Sequence, residues 1–245
     1  MKKCFYVLLF ISVVIVISCG KSKNNENETS ESGTIVCIWE NTPLRETPEN
    51  NGKWIASISL GEKSEYLDEE KEVANGDKTL KFIKIKLQDG KEGWVQSDFV
   101  VLNSQPAAII NDAEMYSRPD LLTKTGKAFS KMDIIGLKTE QNGFVEVVGK
   151  RKNGKWIESG WIKPTNISTS DIDIAVSKYA GKALAIKDID EQQKAINEII
   201  NNSDFAGSIF IDDLKKLLIP ENPTEPEAII EESEAIEEAV DETVE

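Results

Sequence analysis

The chain has 245 residues, 40% hydrophobic and 29% charged, with a formal net charge of −14 and no histidine. That length holds one or two domains. The acidity and the lack of any basic stripe exclude a nucleic-acid binder, because phosphate recognition needs clustered Lys and Arg. The missing histidine excludes Ser-His-Asp triads, Cys-His pairs and His-ligated zinc. Residues 221–245 contain eleven acidic side chains and no Lys or Arg, which leaves residues 1–220 at a charge of −3.

At the amino terminus, Met1-Lys2-Lys3 is positive and Phe5 to Ile17 is apolar except for Ser12. The run is shorter than the ~20 residues of a membrane span and has the charge and length of a secretory signal. It ends in Val16-Ile17-Ser18-Cys19. This stretch resembles the lipobox of bacterial lipoproteins, with Val16 in place of the commoner Leu. The resemblance implies cleavage of residues 1–18 and lipidation of Cys19. Several acyl chains, each contributing about 0.8 kcal/mol per buried CH₂, hold a protein firmly to a bilayer. An uncleaved signal anchor and a plain secreted protein are the alternatives. Cys4 would leave with the signal and Cys19 would carry lipid, so Cys37, in the apolar run Ile35–Trp39, is the only remaining thiol and is expected to be buried. Residues 19–33, rich in Lys, Asn, Glu and Ser, read as a flexible tether.

Two β-modules follow, at 34–103 and 104–166. In the first, Ile35–Trp39 is an apolar strand, Asn41–Pro48 a loop with two prolines, and Trp54–Ile58 a strand. Gly61 then precedes a third strand, and Glu69–Lys78 is a charged loop with its turn at Asn75-Gly76. Phe82–Leu87 alternates, Asp89-Gly90 is a hairpin tip, and Gly93-Trp94-Val95 opens the closing strand. The second copy repeats the order with Met115–Pro119, Ile134–Leu137, Asn142-Gly143, Phe144–Val148, Asn153-Gly154 and Gly160-Trp161-Ile162. A repeated unit of short strands points to two small barrels.

Leu44-Arg45-x-x-Pro48, Gly61 before a strand, Phe82-x-x-Ile85 and Asp89-Gly90-x-x-Gly93-Trp94-Val95 together resemble the bacterial SH3 domain. The second copy has a shortened Arg118-Pro119 spacing and no glycine matching Gly61. The resemblance implies SH3-like barrels that hold a cell-wall peptide or a protein partner in a shallow groove. The aromatic and Arg side chains expected to line it are Trp39, Arg45, Trp54, Tyr66, Tyr116 and Arg118. Trp94 and Trp161 are expected to pack the barrel cores, and Trp156 lies on the long second hairpin. The pairs Asp68-Glu69-Glu70 and Asp212-Asp213 have no calcium-loop spacing and read as solvated faces. No catalytic constellation, metal or cofactor is implied.

After Thr165 the pattern becomes helical. Ser170 is placed to cap a helix with Ile172, Val176, Tyr179 and Ala183 on one face. Asp188-x-x-Glu191 resembles a capping box for a second helix, and Ile211–Ile219 reads as a third that stops at Pro220. This helical segment spans 170–219, and 220–245 forms an acidic tail. The fold class expected is mainly β, with two SH3-like barrels in tandem and two or three helices. The expected function is non-catalytic binding of peptidoglycan peptides or an envelope protein, from a lipid anchor in the cell envelope. The alternatives are a surface adhesin that binds a host protein and an enzyme with its site in the helical segment.

Overall fold

The computed structural model describes residues 33–218. Cys19, the signal, residues 19–32 of the tether and the acidic segment from 219 onward lie outside the described residues. The described chain is mainly β, two curled seven-stranded sheets followed by three helices. The first sheet contains β1 (Thr34–Cys37), β2 (Thr42–Arg45), β3 (Trp54–Ile58), β4 (Lys63–Asn75), β5 (Lys78–Lys86), β6 (Glu92–Gln96) and β7 (Val100–Leu102). The second contains β8 (Gln105–Ile109), β9 (Ala113–Tyr116), β10 (Lys124–Phe129), β11 (Ile134–Gln141), β12 (Phe144–Lys150), β13 (Ile157–Ile162) and β14 (Ile167–Ser168). Their orders are β3-β2-β6-β5-β4-β1-β7 and β10-β9-β13-β12-β11-β8-β14. Each strand of the second sheet takes the place of the strand seven before it, so the duplication seen in the sequence is a duplication of topology.

Period-two alternation supplies each core. Ile35, Cys37, Leu44, Ile58, Ile83, Ile85 and Val95 fill the first. Ile109, Met115, Phe129, Ile135, Val145, Val147 and Ile162 fill the second. Cys37 is a free, fully buried thiol whose Sγ lies 3.1 Å from the Trp39 carbonyl and 3.3 Å from Thr42 Oγ1. Burial pushes its pKa up.

Four local expectations are corrected. The proline loop contains a strand, β2, because Pro43 faces Ser57 on one side of the pair and leaves Leu44 pointing into the core. The charged loop 69–78 is instead the outer half of a long β4–β5 hairpin, with Asn75 paired to Lys78 and the turn at Gly76-Asp77. No apolar alternation marked it because this arm is solvated on both faces, and cross-strand pairs stud it instead: Lys81–Glu70 at 2.6 Å and Lys84–Glu69 at 2.7 Å. The glycine missing from the second module is replaced by Met132. Gly61 (φ +79°) and Met132 (φ +68°) occupy the same turn. Each donates its N–H at 2.8 Å to the first strand of its sheet, at Cys37 and Ile109, and each is followed by a carboxylate that accepts the N–H of Ser59 or Ser130. Finally, the third helix is short.

The helices are α1 (Asp171–Leu184), α2 (Ile189–Asn201) and α3 (Ile211–Lys215). Asp188 caps α2 by accepting the Glu191 N–H at 2.9 Å, whereas Ser170 makes no side-chain cap bond to α1. Their apolar stripes do not form a separate bundle. Ile174, Val176, Ala180, Ile196, Phe210 and Leu214 pack with Ala108 and Ile134 of the second sheet and with Leu60 of the first. A second shared cluster joins Val36, Ile38 and Val101 to Val148 and Ile157. Gly61 stands where the three parts meet: a Cβ there would lie 3.1 Å from Ile174 Cγ2 and 3.2 Å from Ile134 Cγ2. Asp173, 4% exposed, clasps the helical segment by accepting from Ser208 Oγ at 2.8 Å, the Ile209 N–H at 3.0 Å and Ser168 Oγ at 2.5 Å.

Candidate functional site: the outer face of the first sheet

The closing strand sets the geometry. On β6, Gly93 and Val95 face the core and Trp94 faces outward, since the β5–β6 register runs unbroken from Lys86↔Glu92 to Phe82↔Gln96. Gly93 is required at its position because a Cβ would lie 2.7 Å from the Arg45 carbonyl and 2.9 Å from Leu44 Cγ. Gly160 holds the same place on β13, where a Cβ would lie 2.9 Å from Met115 Cε. The tryptophans therefore do not pack the barrel cores as expected. Val95 and Ile162 do, and Trp94 and Trp161 lie on the opposite face.

On that outer face, register builds a row across four strands: Trp54↔Arg45, Arg45↔Trp94, Trp94↔Lys84. Directly opposed residues on one face of a regular ladder have Cβ atoms about 4.5–5.5 Å apart, which joins Arg45, Trp94 and Lys84, while the β2–β3 register shifts between Leu44 and Arg45 and sets Trp54 at the irregular edge of the row. Trp54 is 60% exposed and Trp94 8%, so one indole stands up while the other forms the floor. The Arg45 guanidinium is held by donating Nη1–H to the Gly52 carbonyl at 2.7 Å. Trp54 Nε1 donates to Ser57 Oγ at 3.3 Å. Lys84 is paired with Glu69, which raises the Lys84 pKa and keeps the ammonium charged. Such a strip suits a ligand with a flat or aliphatic face for the indoles and a carboxylate for Arg45, whose planar fork matches a carboxylate bidentately.

Of the six residues the sequence singled out, Arg45 and Trp54 meet here. Tyr66 is half-buried, pairs with Ile85 and lines a separate hollow of about 960 Å³ beside Ser64 and Glu70. Burial first, and the Glu70 carboxylate second, raise the pKa of its hydroxyl. Trp39 stacks on Phe99 at 5.7 Å, lies under Lys150 Nζ at 4.5 Å and faces a cleft between the two sheets. Tyr116 is 6% exposed, its ring meeting Phe144 edge-on at 5.1 Å, with Lys163 Nζ over the Phe144 face. Arg118 is exposed in the turn before β10, where its N–H is bonded to Thr123 Oγ1 at 3.2 Å. The six do not line one groove. Trp94 and Lys84 were missed as surface groups, and the signal was available: if Gly93 must face inward, its neighbour faces outward.

The second sheet carries the corresponding row Lys124↔Tyr116↔Trp161↔Glu146. Only the central tryptophan is kept. Tyr116 replaces Arg45, and Glu146, paired with Lys138 at 3.4 Å, replaces Lys84.

Residues 40–101, most of the first sheet, match the family model of the bacterial SH3 domain. No curated protein matches the chain. Among solved structures, NlpC2 from Trichomonas vaginalis aligns at 11% identity and a TM-score of 0.23, over 63% of this chain and 56% of that one. NlpC1 from the same organism aligns at 11% and 0.23, over 62% and 54%. Endolysin LysPBC5 CBD aligns at 16% and 0.20, over 58% and 97%. The chain spans about half the length of the two Trichomonas vaginalis proteins.

Proposed function

We propose that this is a lipid-anchored, non-catalytic protein of the bacterial cell envelope that binds peptidoglycan peptides through the outer face of its first module. The observation that carries the reading is the Trp54–Arg45–Trp94–Lys84 row, which lies wholly inside the segment matching the bacterial SH3 domain. A carboxylate on a short peptide meets Arg45, and its aliphatic part covers Trp54 and the edge of Trp94. The second module, with tyrosine in place of arginine and its ring held against Phe144, does not share that chemistry. The envelope location rests on the lipobox-like Val16–Cys19 and the positively charged, apolar leader before it.

Retention on purified cell-wall sacculi tests the binding. The wild-type chain is expected to be retained, and Arg45→Ala with Trp54→Ala to lower retention at least tenfold. Retention no higher than a control lipoprotein's would remove the peptidoglycan reading. Labelling of the chain by palmitate in cells, lost in Cys19→Ser, tests the anchor.

A further inference from the structure

A cleft of about 580 Å³ opens where the two sheets and α1 meet, within the range of small-ligand sites. Leu60, Met132, Ile134 and Leu184 give it an apolar lining. Its rim is strongly basic although the chain is acidic. Lys131, Arg151 and Lys182 on the rim are neutralised by Asp213, Glu158 and Glu40, at 2.8, 2.7 and 3.0 Å. Lys150, Lys152 and Lys178 also line it, and no carboxylate stands within ion-pair distance of them among the described residues. The one other acidic group in the wall, Asp133, already accepts the N–H groups of Ser130 and Lys152.

Two observations on α1 mark the cleft as built to receive something. Ser177 lines it, is 2% exposed, and its Oγ has no hydrogen-bond partner. A buried hydroxyl left unpaired costs about 1–3 kcal/mol, which a ligand acceptor recovers. One turn along, Gly181 presents no side chain, and a Cβ there would meet nothing within 4 Å. A glycine inside a helix costs about 1 kcal/mol against alanine, and here it keeps the wall open.

We propose that this junction cleft is a second binding site, independent of the outer-face row, for a short acidic peptide bearing an aliphatic side chain. The aliphatic group lies on Leu60, Met132 and Ile134, the carboxylates meet Lys150, Lys152 and Lys178, and Ser177 Oγ donates a hydrogen bond.

The experiment is fluorescence anisotropy of fluorescein-labelled Leu-Leu-Glu-Glu titrated with the full chain at low salt, with Leu-Leu-Gln-Gln as the neutral control. The acidic peptide is expected to bind at least tenfold tighter than the neutral one. Lys150→Glu with Lys178→Glu weakens it at least tenfold. Gly181→Leu fills the cleft, raises helix propensity and abolishes binding without lowering the melting temperature. All titrations are made in an Arg45→Ala, Trp54→Ala background, which removes the outer-face row as a competing site for the carboxylates and separates the two sites. Equal binding of both peptides, or unchanged binding in Gly181→Leu, overturns the proposal. So does a tenfold gain in affinity when Glu231, Glu232, Glu234, Glu237 and Glu238 are changed to Gln, because the occupant is then the chain's own acidic segment.

Discussion

Arg45 stands directly across the sheet from Trp94, on the face turned away from the barrel core. The pairing gives the two residues different duties. Trp94 is 8% exposed, held between β2 and β5, whereas Arg45 keeps part of its surface in water. Trp94→Ala is therefore expected to cost roughly 2–4 kcal/mol, toward the range for truncating buried aromatics. Arg45→Ala loses one hydrogen bond to Gly52 and is expected to cost about 1 kcal/mol. Urea unfolding of the two variants measures the difference, and equal losses would contradict the assignment.

Gly61 and Met132 share one turn but not one residue type. Gly61→Ala adds a Cβ in the left-handed region, against Ile174 and Ile134, and is expected to lose roughly 2–4 kcal/mol. Met132→Gly relieves a non-glycine residue at φ +68° but removes side-chain packing against the helices. The two effects oppose, so its stability is expected to stay within about 1 kcal/mol of wild type. Thermal melts of both variants check the asymmetry.

Asp173 ties α1 to β14 and to the segment before α3. Asp173→Ala leaves Ser168, Ser208 and the Ile209 N–H without their acceptor and is expected to cost roughly 2–4 kcal/mol. Hydrogen exchange should show the loss across α1 and α3 ahead of the first sheet, whose core shares no residue with the helices.

Burial raises the pKa of Asp133, against the opposing pull of the Ser130 and Lys152 N–H groups and of the nearby Lys152 and Arg151 charges. A carboxyl whose folded-state pKa is raised contributes stability that is complete below the unfolded-state value and is lost as pH climbs through the folded-state value. Asp133→Asn, neutral at every pH and still able to accept both N–H groups, escapes that loss. The variant is expected to gain on wild type as pH rises from about 3 to 7 in denaturant titrations. A difference that does not change with pH would refute the assignment.

Much of the fold was readable from residues. Alternation in Phe82–Leu87 and Phe144–Val148, the Asp89-Gly90 tip and the two Gly-Trp openings mark both sheets, because strand period and turn chemistry are local properties. The spacing of Val176 and Ala183 marks α1 for the same reason, but Ile172 and Tyr179, expected on the same face, are 39% and 46% exposed, and Ile174 takes the buried place instead. The β4–β5 arm was not readable, since a strand wet on both faces has no hydrophobic period. Nor was the Met132 turn, since its left-handed backbone is imposed by the bonds to Ile109 and Ser130 and not chosen by methionine.

The candidate site divides along the same line. Residue pattern alone specifies the duplicated module, the buried Cys37 and the basic-aromatic character of Arg45 and Trp54. Which residues share a face was decided by tertiary structure. Cross-strand register is a contact between segments distant in sequence, and it placed Trp94 outside the core and Tyr116 against Phe144. The junction cleft is further still from the sequence: its walls come from residues near 39, 132, 150 and 181. Only the packing of α1 onto both sheets, driven by burial of its apolar stripe, brings those lysines around one opening.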